Sequence, residues 1–402
     1  MERLISVLGL VVFVGLSYAF SCDRRAVKWP PVLWGIALQL IFAILILKTT
    51  LGLAVFKFLG DLVAQLLNFS DVGAKFVFGD NFADHFIAFK VLPTIIFFSS
   101  FIALLYHYGI LQRVVQLVAW GMMKTMKTSG AETLCCAANI FVGQTEAPLL
   151  IKPYLATMTL SELHAVMTGG FATIAAGVMA AYISFGVPAE HLIAASVMSA
   201  PAALAISKLL YPETEKSLTA GVVELKVERV YANAVDAVAS GASDGLKLAA
   251  NVGAMLIAFL GLLAFFNALL GWFGGLVSLP GLSLEWIFSY LMAPVAWLMG
   301  VPWADCGKVG MLLGKKTILN EFIAYLDLME LVKKHAISER SQIISIYALC
   351  GFSNIGSIGI QIGGIGAIAP QRQGDLAKLG VRAMIAGSVA CFMTACIAGM
   401  LL

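Results

Sequence analysis

Two carboxylates lie where a carboxylate is costly. Glu146 sits in "NIFVGQTEAPLLIKP" (139–153) and Glu321 in "LNEFIAY" (319–325), both inside apolar stretches. An ionisable side chain at membrane depth costs at least ~2.5–3.5 kcal/mol on insertion scales, so each needs a partner or a function. The functional reading is hydrogen bonding to a polar ligand or a part in ion coupling. The structural reading pairs them with Lys152, Lys315 or Lys316. Gln144, Thr145 and Asn354 offer both donors and acceptors, which suits a heterocycle edge or a sugar hydroxyl. The bland alternative for these three is interhelical hydrogen bonding, worth ~0.6 kcal/mol on average. Phe352 lies two residues from Asn354, where its ring could stack on a base. Asn139 and Thr173 carry side-chain oxygens near irregular backbone. With unwound carbonyls such as those of Val142 and Ile174 they could cage a small hard cation.

The elements that hold these residues follow from composition. Of 402 residues, 60% are hydrophobic and 12% charged, and the mean hydropathy is +0.92. A soluble domain averages about 25% charged residues, so the expected fold is all-α and polytopic in a membrane. A net charge of +3 is too small to imply nucleic acid. Seven cysteines in apolar runs lack metal or disulfide spacing, and the five histidines read as structural or solvated. HExxH and GxSxG are absent, which weakens a hydrolase reading. "GKKT" (314–317) lacks the upstream glycine and residue order of a P-loop.

Apolar runs near the ~20 residues that cross a bilayer occur at 4–21, 31–49, 91–111, 160–183, 188–209, 246–272, 343–367 and 379–402. Residues 112–130 read as an interfacial amphipathic helix. The segment 212–240 reads as a polar cover on the inner surface. Clusters at Arg24/Arg25/Lys28, Arg113/Lys124/Lys127, Lys208/Lys216 and Arg372/Lys378 fall on one side of eight spans. The positive-inside rule makes that side cytoplasmic and puts both termini outside, although Lys333, Lys334 and Arg340 fall on the wrong side.

The two halves repeat an order. "GQTEAPLL" precedes "TGGFATIAAG" (168–177) and then a plain span. "LNEFIAY" precedes "LCGFSNIGSIG" (349–359) and then a plain span. The first broken segment enters from the cytoplasmic side and the second from outside. Such inverted repeats build secondary transporters, with the substrate site at the midplane between broken helices. The expected division is scaffold spans (1–111), interfacial helix (112–130), first transport repeat (131–210), cytoplasmic connection and long span (211–284), and second transport repeat (285–402).

With "GQTEAP", "NVGAMLIAF" (251–259), "GVPW" (300–303), "NEF" (320–322) and "GFSN" (351–354) in register, the chain closely resembles the concentrative nucleoside transporters, of the eight-span bacterial type. The resemblance implies two re-entrant hairpins, a homotrimer, elevator-like alternating access, and inward symport of a nucleoside such as uridine with sodium or, in some branches, protons. It implies a protein that is not an enzyme, set in the cell (inner) membrane among lipid. It places Gln144, Thr145 and Glu146 at the nucleobase, with Glu321, Asn354 and Ser357 at the ribose hydroxyls. Phe352, Leu248 and Val178 pack near the base. Sodium falls to the side chains of Asn139 and Thr173 and the carbonyls of Val142, Thr173 and Ile174. Thr173 stands where close relatives often carry Ser, so base preference, on which this position and Gly143 bear, stays open. An intramembrane enzyme and a passive pore are the competing classes.

Overall fold

A computed structural model describes residues 1–219, 231–276, 279 and 281–402. The described residues form helices and connecting turns, a polytopic membrane fold. The N-terminal third contains α1 (Glu2–Ala19), α2 (Trp29–Lys48), α3 (Thr50–Phe78), α4 (Leu92–His107, preceded by a π-helical turn from Phe86) and α5 (Ile110–Met126). Next come the short α6 (Gly130–Ala138) and α7 (Lys152–Leu155), joined by irregular backbone and a 3₁₀ turn at Ala147–Ile151. Then follow α8 (Leu160–Ala172), α9 (Ala176–Ser184) and α10 (Ala189–Leu210). After the long α11 (Ala234–Leu276) come α12 (Leu284–Leu291) and α13 (Ala293–Leu298). The order of the first half then recurs as α14 (Trp303–Ile318) with α15 (Glu321–Lys333), α16 (Glu339–Leu349) with α17 (Ile355–Ile368), and α18 (Gln373–Leu401).

Sequence-coded caps start the helices that matter. Ser129 N–H donates to Glu132 Oε1 at 2.9 Å at the head of α6. Thr159 and Glu162 exchange reciprocal bonds of 2.9 and 3.1 Å at the head of α8. Both are capping boxes, which satisfy otherwise orphaned backbone donors. Asn320 Oδ1 caps α15 and Asn354 Oδ1 caps α17. The last two caps place the candidate residues Glu321 and Ser357 in the first turns of α15 and α17.

Burial separates a packed interior from a peripheral shell. Within their most apolar windows, α10 is 89% buried and α18 67%, whereas α11 is 11% and α3 6%. α10 packs on α2, α8 and α18, and α18 packs on α1, α8 and α16. The outer helices therefore present apolar surface outward, as lipid-facing elements do.

Several expectations change. Eight helices among the described residues are long and apolar enough to cross a membrane, but they are a different eight. Residues 343–367 hold the expected break of a broken span: they divide into the C-terminal part of α16 and most of α17, separated by non-helical Cys350–Asn354, so neither piece counts among the eight. α3 is a long apolar helix outside the expected spans. It escaped notice because Lys57, Asp61, Asp71 and Lys75 interrupt its apolar run. The last span begins at Gln373 rather than 379, and the 246–272 span belongs to a helix that starts at Ala234. Part of the 212–240 cover is thus the start of α11. Residues 220–230 of that cover, and 277, 278 and 280 of the expected connection, lie outside the described residues. The interfacial helix runs Ile110–Met126 rather than 112–130, because Lys127 ends it in a left-handed conformation (φ 56°).

Candidate functional site

Two backbone breaks meet at the centre of the fold. The first separates α8 from α9, with Thr173 and Ala175 extended. The second separates α16 from α17. They bond to each other: Phe352 N–H donates to the Thr173 carbonyl at 3.2 Å, and Ser353 Oγ donates to the Phe171 carbonyl at 2.7 Å. Irregular backbone at membrane depth must be satisfied by protein or a watery cavity, and here each break partly satisfies the other.

Gly351 permits that approach. A β-carbon there would lie 2.7 Å from both the Phe171 carbonyl oxygen and Cys391 Sγ. Gly351→Ala is expected to lower stability by about 1–3 kcal/mol through overpacking. Thermal unfolding of purified protein in detergent measures this, with Gly359→Ala as control, since a β-carbon at Gly359 meets nothing within 4 Å. Equal unfolding temperatures for the two variants would refute the close-approach account.

A chain of polar side chains runs across this junction. Gln361 Nε2 donates to Gln144 Oε1 at 3.0 Å, and Gln144 Nε2 donates to Ser357 Oγ at 3.3 Å. Ser357 N–H donates to Asn354 Oδ1 at 2.9 Å, and Asn354 Nδ2 donates to Glu321 Oε2 at 3.1 Å. Tyr182 completes it, donating to Glu321 Oε1 at 2.8 Å. Three helices (α9, α15 and α17) and the α6–α7 turn are thereby joined. Glu321 is 4% exposed and Tyr182 fully buried.

Glu321 forms no ion pair with the lysines expected beside it. Lys315 pairs with Asp327 at 2.7 Å and Glu285 at 3.5 Å, and Lys316 Nζ donates to the Ala348 carbonyl. The Glu146 side chain is solvent-accessible, and its carboxylate accepts from neighbouring Thr145 Oγ1 at 3.1 Å. Gly143 allows that posture, because a β-carbon there would lie 2.2 Å from Glu146 Oε2. Thr145 packs on α17, its Cγ2 falling 2.4 Å from where a Gly364 β-carbon would stand.

A second set of oxygens lacks donors. Asn139 is fully buried and its Nδ2 donates to the Cys135 carbonyl at 3.1 Å. That leaves Asn139 Oδ1 without a hydrogen-bond partner. Among the described residues the carbonyls of Val142 and Ile174 accept no hydrogen bond either. Thr173 Oγ1 donates to the Gly169 carbonyl at 2.9 Å and keeps its lone pairs. Both residues neighbour Gly169: Thr173 Oγ1 bonds its carbonyl, and a β-carbon on it would lie 3.3 Å from Asn139 Nδ2. Neutral oxygens without donors are suited to a hard monovalent cation.

The apolar candidates frame the site less tightly. Val178 is buried in α9, whereas Phe352 and Leu248 are partly buried against the main core. From α11, Met255 and Phe259 reach Gly356 at the start of α17, a contact the sequence reading missed. Tyr182 and Gln361 were missed as well. Both sit in apolar runs, where their only signal is a polar group in a span. The most buried carboxylates, Glu132 (1%) and Glu162 (2%), also escaped notice. Their signal was present as the capping patterns "SGAE" and "TLSE", and they serve helix starts rather than a ligand.

The sequence matches three family models in chain order. These are Na+ dependent nucleoside transporter N-terminus over 8–81, nucleoside recognition (Gate) over 88–189, and Na+ dependent nucleoside transporter C-terminus over 191–399. Over its whole length it is 49% identical to Solute carrier family 28 member 3 of Homo sapiens and 48% identical to Sodium/nucleoside cotransporter 1 of Mus musculus. It covers 60% and 64% of those proteins, so it spans about three fifths of the curated relatives. Its fold superposes on CNTnw in an inward-facing substrate-bound state with TM-score 0.95 and 39% identity, covering 100% of this chain and 98% of that one. A CNTnw variant in an outward-facing state gives 0.94 and 38%, with the same coverage.

Proposed function

Because the chain belongs to the Na+-dependent concentrative nucleoside transporter family, we propose that it imports nucleosides by sodium symport. The observation that carries this reading is the set of donor-free oxygens on Asn139, Val142 and Ile174 beside the polar chain that ends at Glu321. Sodium, as cargo, binds the side chains of Asn139 and Thr173 and the carbonyls of Val142, Thr173 and Ile174. Gln144, Thr145 and Glu146 meet the nucleobase, with Phe352, Leu248 and Val178 as its apolar walls. Glu321, Asn354 and Ser357 take the ribose hydroxyls. A proton carrier would need no such oxygen set, so sodium is favoured over proton coupling.

In this reading 131–210 and 285–402 move as a transport unit with two re-entrant hairpins, against a scaffold of 1–111 and 211–284. The interfacial helix lies between them. The uncovered apolar surface of α11, with Ile257 79% and Trp272 69% exposed, supports contact with lipid and with two further copies in a homotrimer. The setting is the cell (inner) membrane, with both termini outside.

Uptake of labelled uridine into proteoliposomes tests the function. An inward sodium gradient should drive accumulation above equilibrium, and accumulation indifferent to sodium would refute the coupling. Motion has its own test. Thr145→Cys in a cysteine-free background is expected to switch its side of thiol labelling with sodium and uridine. Equal labelling from both sides under every condition would favour a passive pore.

A further inference from the structure

A cavity lies apart from the polar chain, and none of the residues of that chain line it. It has a volume of about 640 Å³ and is bounded by the start of α2, the end of α5, the head of α6 and the segment after α10. The charges of its floor are paired, two carboxylates to one lysine: buried Lys208 pairs with Glu132 at 2.6 Å and Glu213 at 3.6 Å and donates to Ser161 Oγ. Its walls are not. Lys28, Lys124, Lys127 and Lys216 line it, all exposed, and among the described residues none has a carboxylate within ion-pair distance. The opposing unpaired carboxylate is Glu215. Across the whole lining five lysines stand against three glutamates, an excess of cations that favours an anion.

α5 indicates which anion. Its inner face packs Leu111, Val115, Ala119, Met122 and Met126 into the core. Its outer face carries exposed Ile110, Val114, Leu117 and Trp120 together with Arg113 and Lys124, and Ile110–Lys127 contains no Asp or Glu. An outward face both apolar and cationic marks a helix lying on an anionic bilayer surface. Trp120 joins that face to the cavity, which it lines, and Lys124 Nζ lies 5.0 Å from its ring centroid. Lys127 holds a left-handed backbone, where glycine or asparagine is less strained.

We propose that this cavity binds the phosphate of an anionic membrane lipid, with the acyl chains along the outer face of α5. Basic pockets beside membrane helices on the cytoplasmic side bind such headgroups. The recognising chemistry is a phosphate among lysines, which a free phosphate would share. The exposed apolar side chains Ile110, Val114, Leu117 and Trp120 on the outer face of α5 favour the lipid as its source.

Quenching of Trp120 by brominated acyl chains tests this in the full chain, reconstituted in phosphatidylcholine bilayers. The Trp120 signal is the difference between wild type and Trp120→Phe. Brominated phosphatidylglycerol should quench it at lower mole fraction than brominated phosphatidylcholine. Each lysine near a membrane surface contributes roughly fivefold to anionic-lipid binding. The triple variant Lys124→Gln, Lys127→Gln, Lys216→Gln should therefore reduce the preference on the order of a hundredfold, and the Lys→Arg triple should restore it. Equal quenching by both lipids in wild type overturns the proposal, as does a preference that survives the Gln triple. A second arm titrates glycerol 3-phosphate against the bound lipid. Failure to displace at millimolar concentration supports the lipid. Binding of glycerol 3-phosphate without any lipid preference assigns the site to a soluble phosphate and overturns the lipid.

Discussion

Replacing Glu321 by Gln is expected to weaken uridine binding roughly ten- to hundredfold while leaving 3′-deoxyuridine nearly unaffected. A charge-assisted hydrogen bond is typically worth ~1.5–3 kcal/mol, which is that range in affinity. Glu321 is free to make such a bond. Its carboxylate has about four acceptor sites; Tyr182 and Asn354 each fill one, and neither Lys315 nor Lys316 takes another. A ribose hydroxyl entering the site finds acceptor capacity already oriented by two donors. Tyr182→Phe checks the orientation separately. It keeps the ring packed on Tyr325, 4.4 Å away between centroids, and removes only the donor. A smaller loss for uridine is expected, again depending on the hydroxyl. The competing account is that Glu321 merely ties α15 to α9 and α17. In that case Glu321→Gln would weaken both nucleosides alike and lower the unfolding temperature. Binding of the two nucleosides to wild type and variant closes a double cycle, and additive losses would sink the ribose assignment.

Asn139→Ala should abolish most of the sodium dependence of nucleoside binding. The amide is held by its own nitrogen, which donates to the Cys135 carbonyl, so Oδ1 is presented without a donor in a fully buried position. A buried acceptor left unpaired is destabilising unless something occupies it. Alanine removes the acceptor and one ion ligand together. Coupling between two ligands is reciprocal and typically worth 1–3 kcal/mol, or about 5–150-fold in affinity. Uridine affinity at saturating sodium should fall by that factor and become flat in sodium. A readout without transport is available, because an ion that binds only the folded state raises the unfolding temperature. Sodium should raise that temperature for wild type and Thr173→Ser, and should not for Asn139→Ala. A variant that keeps the wild-type sodium increment would show that the ion binds elsewhere.

Much of the architecture was legible before any coordinates. Hydropathy over about twenty residues reports what a helix meets in the bilayer, and most of the spans follow from it. The recurrence of a Glu-bearing broken segment, a Gly-interrupted span and a plain span was equally readable. The helix starts at Ser129 and Thr159 were written locally, although the capping residues Glu132 and Glu162 passed unread until the fold showed them buried. Misreadings came where local composition misleads. α3 carries charges along its length yet forms a continuous helix. Glu146 is solvent-accessible despite its apolar neighbours, its carboxylate lying over Gly143 beside Thr145 Oγ1.

Residue types and family motifs nominated Glu321, Asn354, Gln144 and Asn139, but they could not say what each touches. Proximity along the chain made Lys315 and Lys316 the natural partners of Glu321. The tertiary structure instead brings Tyr182, 139 residues away, against its carboxylate. Likewise Gln144 meets Ser357 and Gln361 across 213 and 217 residues. Whether a segment is apolar, capped or broken depends on neighbours within a few turns, and that information is contiguous in sequence. Which oxygen keeps a free lone pair depends on how two broken helices pack, and only the fold brings those atoms together.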